Sequence, residues 1–395
     1  MKTLNPTAFP FLILMALFAA LPPFALDTYT PAIPSMAAEF HLPQARVILS
    51  VSSYLMGFAF GMLIWGPLSD VIGRRLVIRL GLVIYLIATF SSALSLHLNE
   101  LVFWRFFQAI GDSAGVGVAF TMLRDIYSGR HLTKIMSTII AMMMIAPMIA
   151  PLIGSLLLIH YHWHSVFYFL FCYGVFLMGV SFFLPETLSF NNRIKVRSVL
   201  SQYVIHFSNK QFLLLALCVS LSFAATFSFI SSASVIYMSI YHLNKFSYSA
   251  LFAFNGLAII AGSLTLRALS AHKSPLFIQT LGLSIFCLSD IVLLVVLVIS
   301  PHHWPIFTAL ISVTTFGLCL LIGSFMSGAM NSVSAAFGTA TSIVNSSRNL
   351  LGSFSSMLMS IVIVHSAIPL MIIQLSFCIG IASLLYVLRP MSLAV

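Results

Sequence analysis

The sequence predicts an all-α membrane protein whose twelve transmembrane helices form two six-helix bundles. Three observations lead to this fold: a scarcity of charge, a series of long apolar runs and one hydrophilic stretch near the middle. Of the 395 residues, 60% are hydrophobic and 7% are charged, whereas about a quarter of the residues of a soluble domain are charged. The 18 basic and 8 acidic residues are too few to cover a soluble globule of this length, which excludes a water-soluble fold.

Twelve apolar runs are long enough to cross the hydrocarbon core of a bilayer, which takes a helix of about 20 residues. Polar turns, or turns that contain Pro and Gly, separate these runs. The predicted spans are 8–36, 47–66, 76–97, 101–123, 135–160, 165–184, 212–238, 247–269, 276–299, 304–328, 333–363 and 367–388.

The longest hydrophilic stretch, residues 188–211, divides the twelve runs into six and six. It predicts a cytoplasmic linker between an N-terminal bundle of residues 1–187 and a C-terminal bundle of residues 212–395. Two halves around a site at the middle of the membrane are typical of alternating-access transporters. Channels and membrane enzymes need no such division.

The net charge of +10 indicates how the chain is oriented in the membrane, because Lys and Arg concentrate in cytoplasmic loops. With both termini in the cytoplasm, only Arg46 and Lys245 fall in outer loops. The excess therefore predicts orientation and not a nucleic-acid partner. The inner loops and tails carry Lys2, Arg74, Arg75, Arg79, Arg124, Arg130, Lys134, Arg193, Lys195, Arg197, Lys210, Arg267, Lys273 and Arg389.

The cysteines and histidines give no strong sign of a metal or a cofactor. The five cysteines lie singly in apolar runs, which indicates neither disulfides nor a zinc site. His160, His162 and His164 alternate in a predicted outer loop, where a loop cluster is favoured over a metal site or a pH sensor. The phosphate-binding pattern G-x-x-x-x-G-K-[ST] is absent, so nothing suggests use of ATP, and no cofactor is predicted.

Five charged residues are assigned to the membrane interior and not to a loop, and a charge near the bilayer centre costs about 2.5–3.5 kcal/mol or more. They are Asp27, Arg105, Asp112, Asp290 and Arg348. Asp27 and Arg105 are predicted at similar depths, about 15 and 8 Å below the outer surface, and we expect them to interact. Such a pair is suited to proton coupling, because protonation of Asp27 would release Arg105. A purely structural ion pair is the alternative.

The other three intramembrane charges are less easily assigned. Asp112 follows Arg105 by two helical turns and projects from the same helix face. Arg348 suits a carboxylate or phosphate ligand, because a guanidinium binds two oxygens at once; neutralisation by Asp112 or Asp290 is the alternative. Asp290 is suited either to polar contacts with a neighbouring helix or to a proton or substrate role.

The run Gly66-Pro67-Leu68-Ser69-Asp70-Val71-Ile72-Gly73-Arg74-Arg75 follows the second predicted helix. Gly66 and Gly73 allow close approach and a tight turn, and Asp70 is placed to cap the next helix and to pair with basic residues on the neighbouring loop. The run resembles the signature G-x-L-a-D-r-x-G-r-k of the major facilitator superfamily. This resemblance implies twelve helices in two pseudo-symmetric halves, with Gly66, Asp70, Gly73, Arg74 and Arg75 in conformational gating.

Further runs resemble motifs of the drug:proton antiporters with twelve spans. Residues 26–34 resemble the acidic motif of their first helix, and residues 105–111 resemble the fourth-helix motif whose arginine is linked to proton coupling. Residues 146–154 resemble the fifth-helix antiporter motif, in which Pro147, Pro151 and Gly154 permit bending and close packing. With residues 124–125 and 184–188, these runs indicate the Bcr/CflA-like branch of bicyclomycin and chloramphenicol resistance transporters.

Three residues depart from the pattern of that branch. Asn345 stands where Gly is usual, Arg348 where Gln is usual and Asp112 where a small residue is usual, which implies a more polar cavity than a general drug pocket. Asn255 needs a partner, because an amide in hydrocarbon must be hydrogen-bonded. The predicted substrate-binding residues are Tyr29, Thr30, Asp112, Phe227, Asn255, Asn345 and Arg348.

The sequence therefore predicts a monomeric, proton-coupled transporter of the bacterial inner membrane that exports a small organic molecule. A transporter of an anionic metabolite such as a carboxylate siderophore, with Arg348 binding the carboxylate, is the alternative. A membrane enzyme is disfavoured by the absence of H-E-x-x-H and G-x-S-x-G patterns. A channel is disfavoured by the absence of a charged ring or a filter repeat.

Overall fold

A computed structural model describes residues 9–188, 203–333, 337–363 and 366–392. These residues form helices joined by short turns, with no β-strand among them. The long helices are α1 (Phe9–Asp27), α2 (Leu49–Ile72), α3 (Arg74–Ala93), α4 (Leu98–Ile126), α5 (Gly129–His160), α6 (His164–Ser181), α7 (Lys210–Ser234), α8 (Lys245–Ser270), α9 (Pro275–Ile299), α10 (Trp304–Asn331), α11 (Phe337–Val362) and α12 (Ile368–Ser392).

Ten helical segments of the described chain are long and apolar enough to cross a membrane by length and composition. The described part of α5 contributes only the shorter apolar segment Ile145–His160. The sequence of α11 contains Arg348 and several Asn and Ser residues, which lower its hydropathy. Large apolar side chains are exposed on many helices, such as Ile299 at 78% and Tyr386 at 76%. A surface of this kind fits lipid better than water.

The first predicted span, 8–36, is wrong as one continuous helix. α1 ends at Asp27, and a 3-10 turn (Thr30–Ala32) and a short helix (Ile33–Glu39) follow it. Pro31 disfavours helical backbone in the residue before it, and the hydroxyl of Thr30 donates a hydrogen bond to the carbonyl of Asp27 at 2.8 Å. Asp27 therefore lies at the end of a helix, inside the candidate membrane span Pro10–Glu39.

The second helix extends beyond the predicted span, 47–66. It continues to Ile72 and includes Gly66 and Asp70. Gly73 then has a φ of 103°, a backbone conformation that favours glycine. This residue ends α2 and starts α3 at Arg74. The signature run is therefore the last two turns of one helix and the beginning of the next.

The chain divides into two compact units. The first comprises the described residues of Met1–Ala32 and Ser53–Tyr203 and holds α1, most of α2 and α3 to α6. The second comprises those of Ile33–Ser52 and Val204–Val395 and holds α7 to α12. Each unit thus contains six long helices, and the predicted fold class, an all-α membrane protein of twelve helices in two six-helix bundles, is confirmed.

Parts of the predicted linker and of the predicted inner loops lie outside the described residues. Residues 189–202 lie outside the described residues, and so does Lys2. The basic residues Arg193, Lys195 and Arg197 belong to this stretch, and the side chains of Arg130, Lys134 and Arg389 are likewise outside the described part. Residues 203–208 are helical and lead to α7.

Candidate functional site

Arg105 on α4 is the centre of a buried polar cluster in the first unit. Its side chain has no exposed surface. Its Nη1 donates hydrogen bonds to the carbonyl of Ala25 at 2.9 Å and to Oε1 of Gln108 at 2.7 Å. The guanidinium carbon lies 4.4 Å from the ring centroid of Tyr29 and 4.4 Å from that of Tyr54. The ring centroid of Phe167 is 5.9 Å away. Aromatic faces attract a cation, so three rings and two oxygen acceptors stabilise the buried charge.

Asp27 lies two residues after the carbonyl that Arg105 binds. It is 5% exposed, and its Oδ1 is buried without a hydrogen-bond partner among the described residues. Asp27 and Arg105 interact electrostatically, as expected, but no ion pair within 4 Å joins them among the described residues. The last carbonyls of a helix lack intrahelical donors. Since α1 ends at Asp27, the carbonyl of Ala25 is available and takes the guanidinium.

Asp112 also lies in this cluster, as its position two turns after Arg105 predicts. It is fully buried on α4. Its Oδ2 accepts a hydrogen bond from the hydroxyl of Tyr54 on α2, and its Oδ1 has no partner among the described residues. Tyr54 therefore joins two charged residues: its hydroxyl binds Asp112 and its ring face contacts the guanidinium of Arg105.

Two members of the cluster were missed by the sequence analysis. Nothing in the sequence marks Tyr54 as a member of the cluster, because a tyrosine in an apolar run is as often a packing residue. Gln108 could have been identified, since an amide inside a membrane helix needs partners and this one follows Arg105 by one turn. Its Nε2 donates to Oγ1 of Thr89 on α3 at 2.8 Å, so the hydrogen-bonded chain runs from α1 through α4 to α3.

The signature residues form an ion-pair network at the junction of α2 and α3. Arg74 is 3% exposed and forms an ion pair with Asp70 one turn earlier. Its Nε lies 3.1 Å from Oδ2 of Asp125 at the end of α4, and its Nη1 donates to Oγ of Ser69 at 2.6 Å. Among the described residues, Asp70 thus pairs with a basic residue of its own run and not, as expected, with one on the neighbouring loop.

The expected capping of α3 by Asp70 is wrong, because Glu186 takes that role. Its Oε1 and Oε2 accept hydrogen bonds from the backbone amides of Arg74 at 3.0 Å and Arg75 at 3.2 Å. The first amides of a helix lack intrahelical acceptors, and a carboxylate is favoured there by the helix dipole. Arg75 also donates from Nη2 to the carbonyl of Phe182 at 2.8 Å. The segment after α6 is thus bound to the start of α3.

The proline and glycine residues of α5 lie where the predicted motif places them. Pro147 and Pro151 are inside the helix, where each removes a backbone hydrogen-bond donor. Gly154 lies against the turn after α1: a Cβ there would be 1.9 Å from the carbonyl oxygen of Thr28. Only a residue without a side chain allows this approach.

Arg348 on α11 lies in a second cluster, within the second unit. Its guanidinium carbon is 4.9 Å from the ring centroid of Phe223 on α7. The ring of Phe223 lies 4.5 Å from that of Phe227, which was predicted to bind substrate. Arg348 is half-buried, and its Nε has no hydrogen-bond partner among the described residues. It forms no ion pair with Asp290 in the described part of this unit.

Hydroxyl and amide groups surround the same stretch of α11. Oγ of Ser220 on α7 donates to Oγ of Ser347 at 3.0 Å. Asn345 is half-buried, and its backbone carbonyl accepts from the side chain of Asn349 at 2.7 Å. Arg348, Phe227 and Asn345 are thus brought to one region of the second unit, with Phe223 as the contact that the sequence analysis missed.

Asn255 and Asp290 bind neighbouring helices, as their residue types predict. Nδ2 of Asn255 donates to Ser312 at 3.3 Å and to Thr315 at 3.2 Å, both on α10. Oδ1 of Asp290 accepts from Oγ1 of Thr314 at 2.7 Å. The expected partner of the Asn255 amide is therefore found, and both contacts join α10 to an adjacent helix.

Two six-helix membrane units with charged groups buried inside their bundles define a multi-pass membrane transporter. Residues 12–357 match the Major Facilitator Superfamily, and the chain belongs to this family. The resemblance drawn from the signature run is confirmed. Members of the family transport small molecules, and the chain is not an enzyme.

Relatives and solved structures agree with this assignment. The chain is 27% identical over 390 residues to a bicyclomycin resistance protein homolog of Haemophilus influenzae, covering 96% of each chain. It is 26% identical to a chloramphenicol resistance protein of Pseudomonas aeruginosa, covering 94% of this chain and 88% of that one. The crystal structure of a D-xylose-proton symporter matches with a TM-score of 0.74 at 13% identity, over 95% of this chain and 97% of that one, and shows the shared fold.

Proposed function

We propose that this transporter exports a small, drug-like organic molecule from the bacterial cytoplasm in exchange for protons, by alternating access. The observation that carries the proposal is the cluster around Arg105. It places a buried guanidinium near two buried carboxylic acids, Asp27 and Asp112, each of which has one oxygen without a partner among the described residues. An acid inside a membrane protein is typical of proton relays.

The substrate class rests on the similar proteins. Two of them carry names that refer to bicyclomycin and chloramphenicol resistance, and efflux gives resistance only when the compound leaves the cell. In the proposal, Asp27 and Arg105 couple transport to protons. Tyr29, Thr30, Asp112, Phe227, Asn255, Asn345 and Arg348 are the proposed substrate-binding residues, with Tyr29 and Phe227 supplying aromatic surface.

The signature network supports a gating role for Gly66, Asp70, Gly73, Arg74 and Arg75. Its ion pairs and hydrogen bonds join the α2–α3 junction to the ends of α4 and α6. Conformational transitions of proteins often break and re-form salt bridges of this kind. Pro147, Pro151 and Gly154 are assigned to the same process, because proline permits a helix to bend and Gly154 allows close packing against the turn after α1.

A second candidate is a transporter of an anionic metabolite, such as a carboxylate siderophore. The observation that favours it is the half-buried guanidinium of Arg348, whose Nε has no partner among the described residues. Guanidinium groups bind carboxylates through two parallel hydrogen bonds. The nearby Phe223 ring and Ser347 hydroxyl add an apolar and a polar contact surface.

We further propose a monomer in the inner membrane with both termini in the cytoplasm. The distribution of basic residues supports this orientation. Residues 188–211 are the proposed cytoplasmic linker between the bundles of residues 1–187 and 212–395.

The test is proton movement in liposomes that contain the purified protein and a pH-sensitive dye. A pH difference is imposed first, and chloramphenicol or citrate is then added in separate experiments. An antiporter moves protons only when its substrate is present. Flux that is independent of a substrate contradicts the proposal, and a citrate response without a chloramphenicol response selects the anionic candidate.

A further inference from the structure

The buried cluster of the first unit contains more acid than base. Asp27 and Asp112 are 5% and 0% exposed, and Arg105, also 0% exposed, is the cation that they surround. A net charge in an apolar interior is costly unless it is neutralised. One guanidinium balances one carboxylate, so the cluster is electrically neutral when one of the two acids carries a proton.

Neither acid is committed to Arg105. The hydrogen bonds of the guanidinium go to the carbonyl of Ala25 and to Gln108, and its faces contact aromatic rings. Asp112 therefore keeps Oδ1 without a partner among the described residues, while Oδ2 accepts from Tyr54. An oxygen in that state is a position where a proton can bind.

The groups that face Asp112 from the elements packed against it are few. They are Tyr54 on α2, Tyr85 on α3, Tyr173 on α6 and Arg105 on its own helix. The hydroxyl of Tyr85 donates to the carbonyl of Leu170 at 3.3 Å, and that of Tyr173 donates to the carbonyl of Leu17 at 2.8 Å. Tyr54 is therefore the tyrosine that positions Asp112.

We propose that Asp112 is a second proton-binding carboxyl of this transporter, with Tyr54 as its positioning residue. The proposal rests on the proposed proton coupling and adds a second site to Asp27. A proton binds Oδ1 of Asp112 and converts the carboxylate to the neutral acid, while Tyr54 continues to donate to Oδ2. On release, the proton goes to water and the carboxylate remains. Neutral Asp112 leaves Asp27 as the charge that balances Arg105.

The test is infrared difference spectroscopy of the full-length protein in lipid, between acidic and alkaline buffer without substrate. It reports the C=O stretching band of each carboxyl that binds a proton. Asp112→Asn is expected to lose one pH-dependent band and Asp27→Asn a different one. Tyr54→Phe is expected to shift the Asp112 band in frequency, because the hydrogen bond to Oδ2 is gone, and to leave the Asp27 band in place.

Asp290→Asn is the matched control, since Asp290 is a buried acid of the other unit whose donor is Thr314. If Asp290→Asn removes a C=O band, the frequency of that band in the otherwise unchanged protein is expected to stay the same in Tyr54→Phe. An unchanged set of bands in Asp112→Asn, or the absence of any shifted band in Tyr54→Phe, overturns the proposal. The spectra of Asp112→Asn and Tyr54→Phe are recorded without transport. They therefore test proton binding by Asp112 even if the liposome experiment shows no proton-driven export.

Discussion

The guanidinium of Arg105 lies against the ring face of Tyr54, with 4.4 Å between the guanidinium carbon and the ring centroid. The same tyrosine donates its hydroxyl hydrogen to Asp112. One side chain from α2 thus contacts both Arg105 and Asp112 of α4. Because the two contacts use different parts of Tyr54, substitutions can remove them one at a time.

Tyr54→Phe keeps the ring and loses the hydrogen bond to Asp112, whereas Tyr54→Leu loses both contacts. A buried hydrogen bond to a charged group contributes about 1.5–3 kcal/mol, and a desolvated cation–π contact about 2 kcal/mol. We expect the leucine variant to unfold at a clearly lower temperature than the phenylalanine variant in the same detergent. Equal melting temperatures would show that the ring contact with Arg105 contributes nothing.

Gly154→Ala is expected to destabilise the first unit, because the new Cβ would lie 1.9 Å from the carbonyl oxygen of Thr28. Forced overpacking of this kind costs about 1–3 kcal/mol. Gly179→Ala is the matched control, since a Cβ there meets nothing within 4 Å. Thermal unfolding of both purified variants measures the difference. A Gly154→Ala protein as stable as Gly179→Ala would contradict the close contact between α5 and the turn after α1.

Glu186→Ala is expected to loosen the start of α3, since the amides of Arg74 and Arg75 lose their acceptor. Loss of a helix cap costs about 0.5–2 kcal/mol. Glu100→Ala is the control, because this carboxylate accepts only a local bond from the amide of Leu96 at 2.9 Å. Hydrogen exchange at residues 74–77 measures the effect. Unchanged protection in Glu186→Ala would rule out capping by this side chain.

Arg348→Gln distinguishes the two candidate substrate classes. If Arg348 binds a carboxylate, the loss of a charge-assisted hydrogen bond weakens citrate binding by about tenfold or more. Chloramphenicol, which has no carboxylate, is then less affected. Ligand-induced stabilisation of the purified protein measures both affinities, with the exposed Arg267→Gln as the control. An unchanged preference between the two ligands would exclude Arg348 from anion recognition.

The fold could be predicted from the sequence because the length of apolar runs and the distribution of charge determine membrane helices. The positions of the helix ends could not be predicted as well. The break after Asp27 and the extension of α2 to Ile72 depend on Thr30, Pro31 and Gly73. Local turn chemistry at these residues competes with an apolar pattern that continues through them.

The site was predictable where residue type alone sets a requirement. Arg105 and Asp112 share a helix face because of their spacing, and Asn255 found partners because a buried amide needs them. The hydrogen bond from Arg105 to the carbonyl of Ala25 was not predicted, because a carbonyl made available by a helix end carries no signal in the sequence. Tyr54, Phe223 and the capping role of Glu186 were missed for a related reason: each depends on contacts between residues far apart in the chain.

The most direct test of proton coupling is accumulation of a ligand that stabilises the purified protein, in liposomes with an imposed pH difference. The wild-type protein and the control Asp290→Asn are expected to accumulate it against its gradient. Asp27→Asn is expected to equilibrate the ligand without accumulation, because it lacks the carboxyl that is proposed to couple transport to protons. Accumulation by Asp27→Asn at the wild-type level would contradict the central claim that Asp27 couples transport to protons.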